Sequence, residues 1–238
     1  MGISGFLPPI SPSLDAAQTA QHYRDHETGI RAGAALMIIA SLFYVPYTMV
    51  VSAQMQRIPN LHPIVMSVQS AAGVTSMFSL TISGLLLAIN AYRLDRPVEI
   101  TQLLNDMFWF VWAMTWPTFI VQFTTLASAV IVDRRPKPLF PKPLAMLAIF
   151  VSVIVMPGNL SVHCFKTGPL AWNGAMGFWI PAVSWAVLVT TELVCLIRSI
   201  PAETTFKKEA SCANTANVGT GANGKFNKGG DAMDGVSV

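Results

Sequence analysis

Two acidic side chains stand close to or within long apolar stretches. Asp106 lies in "LLNDMFWFVWAMTWP" and Glu192 in "WAVLVTTELVCLI". An ionisable group held in hydrocarbon is expensive, so such residues are functional candidates by default. Asp106 has the chemistry of a general acid if its surroundings tune it, with His163 or Tyr92 as its proton-handling neighbour. A second reading is binding. The amides of Asn90, Asn105, Asn159 and Asn173, the indoles of Trp109 and Trp116, and the Glu192 carboxyl would then line a pocket for a small or lipid-like ligand.

Each feature has a plainer reading. Asn105 and Asp106 head the third apolar block, where either residue caps a helix N-terminus and an anion suits the dipole. Trp109 and Trp112 suit an interfacial belt. Trp116 lies a turn deeper, and its indole N–H needs a partner once buried. Glu192 lies near the wrong end of its helix to be a cap. It needs a partner from another span, and Gln69 and Gln122 are the candidates.

Recognisable catalytic sequences are missing: there is no HExxH, GxSxG or phosphate-binding loop motif. His22 and His26 are four apart with Glu27 beside them, but their polar flanks read as a solvated segment rather than a metal site. None of the apolar blocks holds a histidine, which disfavours histidine-ligated redox chemistry and leaves the cofactor unknown. Cys164, Cys195 and Cys212 have no ligand spacing. Three function classes remain: binding or transport through a polar pocket on the outer side, acid–base catalysis on an apolar substrate, and an accessory role in a membrane complex.

The elements that position these residues follow from composition. Of 238 residues, 53% are hydrophobic and only 11% charged. A soluble domain carries about 25% charged residues, so so few cannot cover a water-facing surface. The apolar residues form blocks at 32–53, 64–90, 107–132, 143–157 and 174–197, and a span needs roughly 20 apolar residues. The expected fold is therefore all-α: a polytopic transmembrane helical bundle of about five spans. The fourth block is short and meets "PGN", so its helix is expected to be discontinuous after Val155. Residues 1–31 read as a polar N-terminal segment, with "GFLPPISPS" too rich in proline for a helix. Residues 32–198 read as the membrane domain, and 199–238 as a disordered tail.

The second block carries a stripe of Gln69, Gly73, Ser76, Leu80, Ser83, Leu87 and Asn90. Their spacing of three and four puts them on one helical face, as either a packing seam or a polar cavity wall. Pro46, Pro117 and Pro181 lie inside three of the spans and should bend them.

Basic residues orient the chain. One side holds Arg24, Arg31, Arg93, Arg96 and Lys166. The other holds Arg57, Arg134, Arg135, Lys137, Lys142, Arg198, Lys207 and Lys208. The C-terminus is expected in the cytoplasm. The expected partners are the lipid bilayer and further membrane subunits, its own copies included. A formal charge of +3, with the basic residues beside the spans, is no sign of nucleic-acid binding.

Overall fold

The computed structural model describes residues 5–136 and 138–198, for residues 155–157 the backbone alone. The tail at 199–238 lies outside the described residues. Five helical segments are long and apolar enough to cross a membrane: Glu27–Met55, Pro63–Tyr92, Val98–Val132, Lys142–Ser161 and Ala175–Arg198. Among the described residues there is no strand. Leu42, Phe43, Met146 and Val153 are more than 60% exposed, while Gln69, Gln122, Asn90, Asn105 and Glu192 are buried. Apolar outside and polar inside is the pattern of a bundle solvated by lipid, where buried polar groups must find partners within the protein.

A short helix precedes the spans. Helix α1 (Ala16–Asp25) starts at a capping box in which the Asp15 carboxylate accepts from the Gln18 N–H at 2.7 Å and Gln18 accepts from the Asp15 N–H at 3.1 Å. Residues 6–13 before it form no helix. They fold onto the bundle instead. Phe6 meets Phe108 edge-on at 5.1 Å, and the Ile10 carbonyl accepts from the Trp172 indole at 2.9 Å. Burying a side chain such as Phe6 contributes about 1.5–3 kcal/mol. That anchors an otherwise polar segment to one end of the bundle, here termed the N-side.

The first two spans, α2 (Glu27–Met55) and α3 (Pro63–Tyr92), pack closely. The stripe on α3 packs against α2 and the third span: Gln69, Gly73, Ser76, Ser83, Leu87 and Asn90 are buried and Leu80 partly so. A Cβ at Gly73 would collide with the Thr48 side chain, so glycine is what allows the approach. Ser76 pairs across helices, donating to Thr118 at 2.9 Å.

The third span differs from expectation. It begins at Val98, two turns before the apolar block, with Pro97 at the N-cap. Asn105 and Asp106 are therefore inside helix α4 (Val98–Met114) and are not caps. The extra turns are helical because α1 packs on them: Gln102 donates to the Leu14 carbonyl at 3.1 Å and Tyr23 to Asn105 at 3.2 Å. The span then breaks at Thr115 (φ −84°, ψ 2°) before resuming as α5 (Trp116–Val132). Pro117 causes the break, since it has no N–H to continue the ladder. Thr115 fastens the joint, donating to the Val111 carbonyl at 2.8 Å and Ser79 Oγ at 2.6 Å.

The fourth span also corrects the sequence reading. Helix α6 (Lys142–Ser161) runs unbroken past Val155, Pro157 and Gly158. A proline removes one backbone bond, which a buried transmembrane helix tolerates when its neighbours pack around it. Gly158 serves packing: a Cβ there would run into the Met176 carbonyl. Irregular backbone begins only at 162 and continues to 174. The last helix, α7 (Ala175–Arg198), opens with a π-helical turn at Ala175–Trp179. The compact unit ends at Leu193.

At the end opposite the N-side, Asp133 closes α5. Arg135 grips its carboxylate with bonds of 2.8 and 2.6 Å, and Lys142 donates to the Val130, Ile131 and Asp133 carbonyls. A cation on the last carbonyls of a helix complements the dipole. The Arg135 hydrogen bond holds the Asp133 carboxyl below its ordinary value.

Candidate ligand groove and the buried carboxyl beneath it

Small residues on one face of α2 make the main cavity. Gly29, Ala32, Gly33, Leu36, Met37 and Ala40 recur at helical spacing and line a groove of about 940 Å³. Phe178, Trp179, Ala182, Val183, Trp185 and Ala186 of α7 line the other wall, with Trp112, Trp116 and Phe119 from the third span and Ser79 and Leu80 from α3. Leu36, Ala40, Val183 and Ala186 are exposed, so the groove opens sideways toward lipid. Leu7 of the N-terminal segment also lines it, at its N-side end. The π turn supplies two successive aromatics: Phe178 is buried, Trp179 is half-exposed, and their rings meet edge-on at 5.2 Å. Such turns often mark functional sites.

Among the described residues the lining holds no charged side chain. Its polar groups are the Ser79 hydroxyl, already bonded to Thr115, and the indoles. The Trp185 Nε1 is buried with no hydrogen-bond partner among the described residues.

Beyond the groove's inner end the same helices carry a polar seam. Phe119 touches Tyr44 edge-on at 5.8 Å. Tyr44 donates to Gln122 Oε1 at 2.8 Å, and Gln122 donates to Thr48 at 3.4 Å. Further along, Ser52 donates to Gln69 and shares a 2.6 Å bond with Ser70. Glu192 is 2% exposed. One carboxyl oxygen accepts from the Tyr47 hydroxyl, and the other has no hydrogen-bond partner among the described residues. The partner of Glu192 is thus Tyr47. Gln122 is engaged with Tyr44 instead, and Gln69 with Ser52. Tyr44 and Tyr47 were missed in the sequence, although two tyrosines flanking Pro46 deep in a span are misplaced for an interfacial belt and were a readable signal.

The polar residues that the sequence reading assigns to the outer side scatter. Asn90 is buried and donates to the Thr101 carbonyl at 3.0 Å. Asn105 is buried beneath Tyr23, whose phenol burial pushes up in pKa. Asp106 is partly exposed, 3.5 Å from the Asn105 amide, and Lys166 acts on it electrostatically. Tyr92 is 72% exposed, beside the Arg93 guanidinium at 5.8 Å, in a separate surface depression with Arg96. His163 is exposed, Asn173 half-buried and Asn159 buried. No hydrogen bond or shared cavity joins Asp106, His163 and Tyr92 among the described residues. Of the two tryptophans singled out, Trp116 lines the groove. Trp109 stacks on Trp172 at 6.1 Å in the aromatic core under the N-terminal segment.

No protein-family model matches this chain, and no curated protein or solved structure is similar to it.

Proposed function

We propose that this membrane protein binds a lipid-like ligand in the groove between α2 and α7. The observation that carries the reading is the groove itself: about 940 Å³, almost wholly apolar, lined by six aromatic rings and open on its lipid side. Ligand sites are concave and mostly apolar, with a few fixed polar groups, and an amphiphile can enter this one from the bilayer without crossing water. The basic bias of the loops supports an orientation with the N-side outside and the C-terminus in the cytoplasm, which puts the groove in the outer half of the bilayer. Binding is favoured over catalysis because the acid–base candidates lie apart from the groove.

Four of the six tryptophans line the groove, so intrinsic fluorescence reports occupancy. Dodecanol titrated into the protein in phosphatidylcholine nanodiscs should change that fluorescence saturably. Ala40→Leu combined with Ala186→Leu fills the groove and should weaken the effect at least about tenfold, the order expected for losing a few methylene contacts. An unchanged titration in a folded double variant would count against the groove.

A further inference from the structure

We infer that the groove and Glu192 together form a binding site for an apolar organic cation, a lipophilic amine or quaternary ammonium compound. This rests on the groove being a ligand site. Two independent features point to positive charge. The first is the wall. Trp112, Trp116, Phe119, Trp179 and Trp185 line it with no lysine, arginine or histidine among them. The faces of aromatic rings attract cations, most strongly where water is excluded.

The second is the carboxyl. Glu192 is buried with one oxygen bonded to Tyr47 and the other without a hydrogen-bond partner among the described residues. Among the described residues Tyr47 and Tyr44 of α2 are the titratable groups that act on it, and neither is a cation. A carboxylate in such a place is stabilised only when an opposite charge reaches it. Trp185, Leu188 and Glu192 share one face of α7. The seven residues from Trp185 to Glu192 rise about 10 Å. On α2, Ala40 of the groove is followed on its own face by Tyr44 and Tyr47. A cation at the groove's inner end is therefore within about 10 Å of the carboxylate. At that distance, and an effective dielectric near 20, attraction strengthens binding by about tenfold. A neutral molecule of the same shape gains nothing from Glu192.

The test uses the full chain in phosphatidylcholine nanodiscs, with dodecyltrimethylammonium and dodecanol as probes, tryptophan fluorescence as readout and protein-free nanodiscs as the partitioning control. The ammonium compound should bind about tenfold more tightly than the alcohol. Glu192→Gln should abolish the difference and leave dodecanol binding as in the wild type, which also shows that the variant is folded. Equal affinities in the wild type, or a preference that survives Glu192→Gln, overturns the cation site and leaves the groove standing. Failure of both probes to bind the wild type overturns the groove and this inference with it. Should Glu192→Gln not fold, Glu192→Asp carries the test. It keeps the charge and must keep the preference, and loss of preference with dodecanol binding intact overturns the inference.

Discussion

The groove and the seam beyond it are built from the same helices with opposite results. Between α2 and α7 on the N-side, glycines and alanines face alanines and aromatics, and a large cavity remains. Toward the other end, Tyr44, Tyr47, Gln122 and Gln69 replace the small residues and pair with one another or with Glu192 and Ser52. Both regions are buried in lipid, so hydrophobicity does not distinguish them. Side-chain volume and hydrogen-bond satisfaction do. A stretch of small apolar residues has nothing to lose by leaving space, whereas a buried amide or carboxyl must be held by a partner at fixed distance. The seam thereby fixes the spacing of helices whose other halves stand apart.

Overpacking should separate the two regions most sharply. Gly73→Leu drives a side chain into Thr48 and Gln122 and should destabilise by about 3 kcal/mol, read as the midpoint of unfolding in mixed detergent micelles. A wild-type midpoint would mean the seam is as loose as the groove. Next in size is Gln122→Leu. It keeps the volume but leaves the Tyr44 hydroxyl without its acceptor, at a cost of about 1–3 kcal/mol. Tyr44→Phe in the same background should recover part of that loss, since the unsatisfied donor is then gone. By contrast, Ala40→Leu alone enters the groove from an exposed position and should stay within about 0.5 kcal/mol of wild type.

The cover at the groove's N-side end gives smaller effects. Asp106 is interior to α4, so Asp106→Ala should raise helix stability by a few tenths, up to about 0.7 kcal/mol. A cap would lose about 0.5–2 kcal/mol instead. A measured loss in that range would restore the capping role. His22 is the pH-sensitive contact: it bonds the Gly5 carbonyl at 2.9 Å and stacks on His26 at 4.5 Å. Burial lowers its pKa below the ordinary 6.5, against a raising contribution from the Gly5 bond. A lowered histidine favours the packed segment while neutral. That stability is present above pH 6.5 and is lost as the pH falls through the lowered value. Amide exchange in residues 6–25, corrected for intrinsic rates, should accelerate on acidification from pH 7.5 to 5, while α3 stays protected. Uniform exchange across that range would remove His22 as a latch.

Five spans were legible because hydrocarbon thickness demands long apolar blocks, and a block is a one-dimensional signal. The α3 stripe was legible for the same reason, since periodicity alone selects the buried face. Helix α1 could have been read too: "LDAAQ" carries the reciprocal cap that starts it. The limits of α4 could not, because "VEITQLLND" is only weakly apolar and becomes helical against Tyr23 and Leu14. The prolines show the same division. Pro117 interrupts its span and Pro157 does not, although both lie within apolar blocks or at their ends. Packing decides the outcome, with Thr115 and Ser79 bracing one joint and the π turn of α7 pressing on Gly158 at the other.

What the sequence by itself determined is the solvent: its low charge and block hydropathy leave lipid as the only medium in which the chain can fold, and they make Glu192 conspicuous. What only the tertiary structure decided is who meets whom. Tyr47 rather than Gln69 or Gln122 reaches Glu192, and the small residues of α2 face the aromatics of α7 across a groove. The physical reason is that lipid rewards every apolar helix face about equally. The choice of neighbour is therefore left to close packing and to a few buried hydrogen bonds between residues as much as 162 positions apart.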